Sequence, residues 1–316
     1  MRSAFLCIVI ALVCSAGSVS VRAQPDDPAK RAAALEAFNE AIKLREQRTF
    51  ASYKAALEQF SRSAKLYEEI GDRANYGSSM LGAGLIRSLI GENEAALAIY
   101  LEVLGIFRSV GHTGLQARTL NNIGQLYAET GDPKRAVEFH LKTLELRRAA
   151  NDRGGEAQTL NNLGSAYSAL GERALALDVF SKALAIRREA GELRQVAMIL
   201  NNIGLVRESL GDRRLAKSTL NEALELRVRT GDRNGEATTL NNLGMVTADE
   251  DPQSAIAHFE RALKIVVELG FESPKATIRN NIGNAYLALG DRPRALENFR
   301  SALAIHTSSS DRNGIA

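Results

Sequence analysis

The chain has almost no cysteine and almost no net charge. Both cysteines, Cys7 and Cys14, fall within residues 1–23. There Arg2 is followed by an apolar run over 4–13, then by small residues closing on Val21-Arg22-Ala23. That layout predicts a secretory signal peptide cleaved before Gln24. The run is too short to cross a bilayer, which takes about 20 apolar residues. Leu12-Val13-Cys14 loosely matches a lipobox, so lipidation of Cys14 is the alternative fate of the leader, although Val13 is bulky for that motif. The predicted mature chain of 293 residues is cysteine-free, which excludes disulfides, thiolate metal sites and cysteine nucleophiles from it. Losing Arg2 and Arg22 lowers the formal charge from +3 to +1, too little for a nucleic-acid-binding face.

Other signals are missing as well. No strand-like alternation appears, so an all-α fold is expected. His112, His140, His258 and His306 share no metal-ligand spacing, and there is no phosphate-cradling glycine loop, carboxylate pair or nucleophile–base arrangement. The expectation is a protein that is not an enzyme, binds no metal or cofactor, and does not insert into a membrane once its leader is gone.

What is present is repetition. Thr119-Leu-Asn-Asn-Ile-Gly124 recurs as Thr159-Leu-Asn-Asn-Leu-Gly164, Ile199-Leu-Asn-Asn-Ile-Gly204, Thr239-Leu-Asn-Asn-Leu-Gly244 and Ile278-Arg-Asn-Asn-Ile-Gly283. The glycines are 40, 40, 40 and 39 residues apart, and Gly84 belongs to a degenerate copy. The predicted organisation is a signal peptide over 1–23, a linker over 24–30, and a divergent repeat over 31–78. Six units follow over 79–118, 119–158, 159–198, 199–238, 239–277 and 278–310, and residues 311–316 begin a further repeat that stops.

Each unit predicts two helices. Leu160, Leu163, Ala166, Tyr167 and Leu170 recur at three- and four-residue spacing, as do Leu175, Ala176, Val179, Phe180, Ala183, Leu184 and Ile186. Gly171 and Gly191 end the two runs. Glycines inside helices cost about 1 kcal/mol against alanine, so their recurrence in phase implies a gain. Alanines twelve residues on, such as Ala176 and Ala216, suggest a close crossing of the two helices. The unit around Gly244 lacks its turn glycine, reading Ala248-Asp249-Glu250-Asp251-Pro252, and a local distortion is expected there. Arginine pairs such as Arg147/Arg148 and Arg187/Arg188 suit the helix dipole at the ends of second helices.

Leu160, Leu163, Gly164, Tyr167, Ala176, Phe180 and Ala183 together resemble the tetratricopeptide repeat (TPR), over about nine-tenths of the mature chain. The unit is longer than the usual one and lacks its closing proline, and in this it is similar to kinesin light chain and Pins/LGN-type arrays. His140 stands at the second-helix aromatic position, where a core role is expected. Arg207 and Thr247 replace the first-helix aromatic kept at Tyr167 and Tyr286. The resemblance implies a right-handed α-solenoid of about seven helix-turn-helix units whose first helices line a concave groove.

Counted from the family glycine, the groove positions are Asn121, Asn122 and Gln125; Asn161, Asn162 and Ser165; Asn201 and Asn202; Asn241 and Asn242; Asn280, Asn281 and Asn284. Asparagine is a poor helix-interior residue, so ten in phase need a cause. An amide offers both a donor and an acceptor, the complement of a peptide backbone. A ladder of them predicts capture of an extended, neutral to mildly basic segment of a partner protein. The competing expectation is that one asparagine of each pair satisfies backbone groups between repeats. On the ladder reading, alanine at Asn161, Asn162, Asn201 and Asn202 removes binding and leaves melting nearly unchanged. No lysine or arginine occupies the counted positions, which disfavours carboxylate-clamp ligands.

Asp311-Arg312-Asn313-Gly314 repeats Asp232-Arg233-Asn234-Gly235, which leads into a first helix. A bare apolar face at Phe299, Leu303 and Ile305, with self-association through it, is therefore expected. Two functional classes stay open: an exported, periplasmic or secreted scaffold, or the recognition arm of a larger caspase-like CHAT peptidase.

Overall fold

The computed structural model describes residues 27–313, with side chains to Thr307. The expected leader, including Cys14, lies outside the described residues. Among those described there are fourteen α-helices and no strand. They form seven hairpins: α1 (Pro28–Glu46) with α2 (Phe50–Glu69), α3 (Arg73–Leu89) with α4 (Asn93–Ser109), α5 (Thr113–Glu129) with α6 (Pro133–Ala149), and α7 (Arg153–Ala169) with α8 (Arg173–Glu189). Then come α9 (Leu193–Ser209) with α10 (Arg213–Arg229), α11 (Arg233–Thr247) with α12 (Pro252–Glu268), and α13 (Glu272–Ala288) with α14 (Arg292–Asn313). Each helix packs on its sequence neighbours, and successive first helices from α3 to α11 also touch. This is the quasi-one-dimensional packing of a solenoid.

Local chemistry sets the helix bounds. Carboxylates of Asp27, Asp72, Asp132, Asp152, Asp232 and Asp251 accept from first-turn N–H groups of the helices they precede. Gly171 and Gly191 turn the chain at φ 80° and 68°, where only glycine sits without strain. The caps shift the expected phase. Every first helix from α3 onward starts six residues before the boundary taken from the Thr-Leu-Asn-Asn motif, which therefore lies mid-helix. Likewise α1 starts at Pro28, inside the segment expected to be a linker, because Asp27 caps it. The last helix, α14, runs through 311–313.

The in-phase glycines make room for a ring. A Cβ on Gly164 would lie 2.6 Å from Cε1 of Phe180, and one on Gly283 2.5 Å from Cε1 of Phe299. The neighbour that needs the space is thus the side chain sixteen residues on, not the alanine at twelve. His140 fills that place under Gly124 and is fully buried. Around Gly244, α11 stops at Thr247, two residues sooner than its counterparts, and Asp251 bonds back to the Thr247 carbonyl at 2.9 Å. Of the expected bare face, only Leu303 is exposed: Ile305 is buried with Ala276 and Ala302, and Phe299 packs under Gly283.

The arginine pairs divide their work. Arg147 and Arg227 bond Asp152 and Asp232, and Arg187 bonds Glu192 at 2.5 Å, each pinning the turn into the next unit. The Gly155 N–H and, against partial burial, the Arg147 guanidinium hold the Asp152 carboxyl below the ordinary carboxylate range. The second arginines reach farther: Arg148 meets Glu156 at 2.9 Å, and Arg188 meets Glu222 of α10 at 2.6 Å.

Candidate binding groove

Residues four, three and four apart share one face of a helix. On α7 this stripe runs Gly154, Gln158, Asn162, Ser165 and Ala169; on α9 it runs Arg194, Met198, Asn202, Leu205 and Ser209. The first helices stand side by side, so the stripes join into one surface with the asparagines along its middle.

Those asparagines bond to one another. Nδ2 of Asn162 donates to Oδ1 of Asn121 (3.1 Å), Asn202 to Asn161 (3.1 Å), Asn242 to Asn201 (2.9 Å) and Asn281 to Asn241 (2.8 Å). Four consecutive junctions are thus crossed by one amide–amide rung each. Asn161, Asn201 and Asn242 are buried, while Asn121, Asn162, Asn202, Asn241 and Asn281 keep some surface. Asn122 joins no rung because Leu81 stands where its acceptor would be, and Asn280 joins none among the described residues. The partners are side chains and not the backbone groups that the competing expectation invoked. Each rung spends one amide hydrogen and one carbonyl oxygen, leaving the amino group of one asparagine and the oxygen of the other. At a net of about 1 kcal/mol per bond, removing rungs lowers stability, so the expectation of unchanged melting does not fit this geometry.

The other counted positions divide. Gln125 is exposed and donates to Glu129 at 2.9 Å; the Ser165 hydroxyl turns back to the Asn161 carbonyl at 3.3 Å; Asn284 is exposed. Counting from the glycine missed a row one turn earlier, Arg118, Gln158, Met198, Thr238 and Thr277, all exposed. The four-residue spacing from the second asparagine was the signal for it. Arg118 therefore places a cation on a surface expected to have none.

Between α11 and α13 the surface opens into two hollows on either side of the Asn241–Asn281 rung. One, of about 270 Å3, is lined by Asn234, Thr238, Ser273 and Thr277 over Val266. The other, of about 230 Å3, is lined by Met245, Asp249, Asn281 and Asn284 over Phe259. These two first helices touch less than those from α3 to α11, and the second hollow lies at the early end of α11. Among the described residues no three His, Cys, Asp or Glu side chains meet as a metal site, and no helix is long and apolar enough to cross a membrane.

Residues 115–189, 195–268 and 247–308 match the tetratricopeptide repeat family profile. The chain belongs to the tetratricopeptide repeat family. No curated protein sequence matches it. Among solved structures, the TPR array is similar to BtubC (BKLC) from P. vanneervenii, at 23% identity and TM-score 0.61 over 69% of this chain and 92% of that one. It is also similar to the apo form of RapI (13%, TM-score 0.72, 88% and 99% of the two chains). A Rap protein complexed with competence and sporulation factor matches at 12% and TM-score 0.60, over 90% and 99%. At these identities the likeness is one of fold: a TPR solenoid.

Proposed function

We propose that this protein is an exported, non-catalytic scaffold that holds an extended, neutral to mildly basic segment of a partner protein in its first-helix groove. The observation that carries this reading is the unbroken run of four amide rungs along the first helices, in which Asn121, Asn162, Asn202, Asn241 and Asn281 keep surface and so can offer an unused donor or acceptor. Successive first helices present these groups at regular intervals, as an extended backbone presents its own. The two hollows beside Asn241–Asn281 offer room for side chains at one end of the track. A relative solved with a bound factor shows that this fold can serve recognition, and the leader-like residues 1–23 support export.

The test is a peptide-library screen on the full chain, repeated with N161A/N162A/N201A/N202A. That variant lacks three rungs, so its melting temperature falls while its helical circular dichroism stays. Binding of the selected peptides is expected to weaken at least tenfold in the folded variant. Unchanged binding there would contradict the groove assignment.

A further inference from the structure

The side of α9 opposite the asparagine stripe carries Leu200, Ile203 and Arg207, which face the cleft between α8 and α10. At the preceding junction the equivalent cleft is closed: Tyr167 packs against a core containing Leu144, Leu160, Leu163 and Val179. One unit later Arg207 replaces Tyr167, Thr219 replaces Val179 and Ser181 replaces Leu141. Two packing side chains, Tyr167 and Val179, and the exposed Leu141 have polar counterparts at one place. The result is an open cleft of about 410 Å3, with Leu177, Leu184, Leu200 and Ile203 among its lining residues. Small-molecule pockets have this size, about 300–1,000 Å3, and here four aliphatic side chains share the lining with Ser181, Arg188, Arg207, Thr219 and Glu222.

The charge in the cleft is one-sided. Arg188 and Glu222 also line it, but they neutralise each other at 2.6 Å. The half-buried Arg207 donates only to the Thr219 hydroxyl, a neutral partner, and no carboxylate among the described residues answers it. A guanidinium with free donors beside leucine walls complements a carboxylate on an apolar body.

We infer that this cleft is a second binding site, separate from the groove, for a small amphipathic monocarboxylate. The ligand's carboxylate takes the free guanidinium donors of Arg207, with the Thr219 hydroxyl beside it, and its apolar body lies against Leu177, Leu184 and Leu200. Nothing in this assignment depends on peptide capture by the other face.

Titration calorimetry of the full chain with 4-phenylbutyrate and with its primary amide tests the assignment. One saturable site per chain is expected for the acid, with the amide at least tenfold weaker. R207Y/T219V restores the filling seen at the preceding junction, so it is expected to fold and to lose at least tenfold in affinity. Arg207→Gln keeps the space and removes the charge, and is expected to bind acid and amide alike. Absence of saturable binding, equal affinity of the wild type for acid and amide, or full affinity in R207Y/T219V would overturn the site.

Discussion

At the scale of single residues, His140 stands where other units place Phe180, Phe259 or Phe299. It has no exposed surface and neither ring nitrogen has a partner. Burial pushes its imidazole from 6.5 down to about 4. The native state then binds fewer protons than the unfolded chain between those values, so this residue's effect is nil above pH 6.5. Stability is lost as pH falls from 6.5 toward 4, at about 1.4 kcal/mol per unit at most. His140→Phe removes the effect. Urea unfolding is expected to show the variant's advantage over wild type growing by about 2.5 kcal/mol between pH 7.5 and 4.5. An advantage that does not change with pH would mean that the imidazole is solvated. Arg207 belongs to the same scale. Its departure from the family aromatic was plain in the sequence, but the cleft it opens required the neighbours on α8 and α10.

At the scale of the helix, two glycines of the same type have opposite expected effects. Gly164 lies under Phe180, whereas a Cβ on Gly105, in α4, would meet nothing within 4 Å. Gly105→Ala is expected to stabilise by about 1 kcal/mol through helix propensity alone. Gly164→Ala gains the same propensity but forces the ring, and overpacking of this kind costs about 1–3 kcal/mol, leaving a net loss. Chemical denaturation of the two variants checks the contrast; stabilisation by both would show that the ring can move aside freely. A double-mutant cycle on Asn161 and Asn202 is expected to return a coupling of about 1 kcal/mol, the worth of one rung. A coupling near zero would mean that the two amides do not bond.

The helices were largely legible in the sequence because period, caps and turn glycines agree at most units. The Thr-Leu-Asn-Asn motif did not reveal the helix starts, because Asp72, Asp152 and Asp232 set them one and a half turns earlier. The ten asparagines were visible, yet their mutual bonding was not. A residue repeated every 40 positions says that the environment repeats, and only the stacking of units shows that the environment is the next copy of itself. Arg118 was missed for a simpler reason, since counting began at the glycine and stopped one turn short of it.

At the scale of the whole molecule, the rungs link five successive units as covalent turns do, and the half-exposed Asn121, Asn162, Asn202, Asn241 and Asn281 keep amide groups at the surface. On the proposed function, recognition by such a track is recognition of backbone, with its energy spread over several weak bonds rather than held in one pocket. The most direct measurement is binding of a library-selected peptide in which successive amide nitrogens are methylated, compared with an alanine scan of its side chains. Methylation removes the donors that the free asparagine oxygens would accept. The account predicts a loss of at least tenfold from methylation and small losses from most alanine substitutions. Tolerance of methylation, with affinity concentrated in one or two side chains, would contradict it.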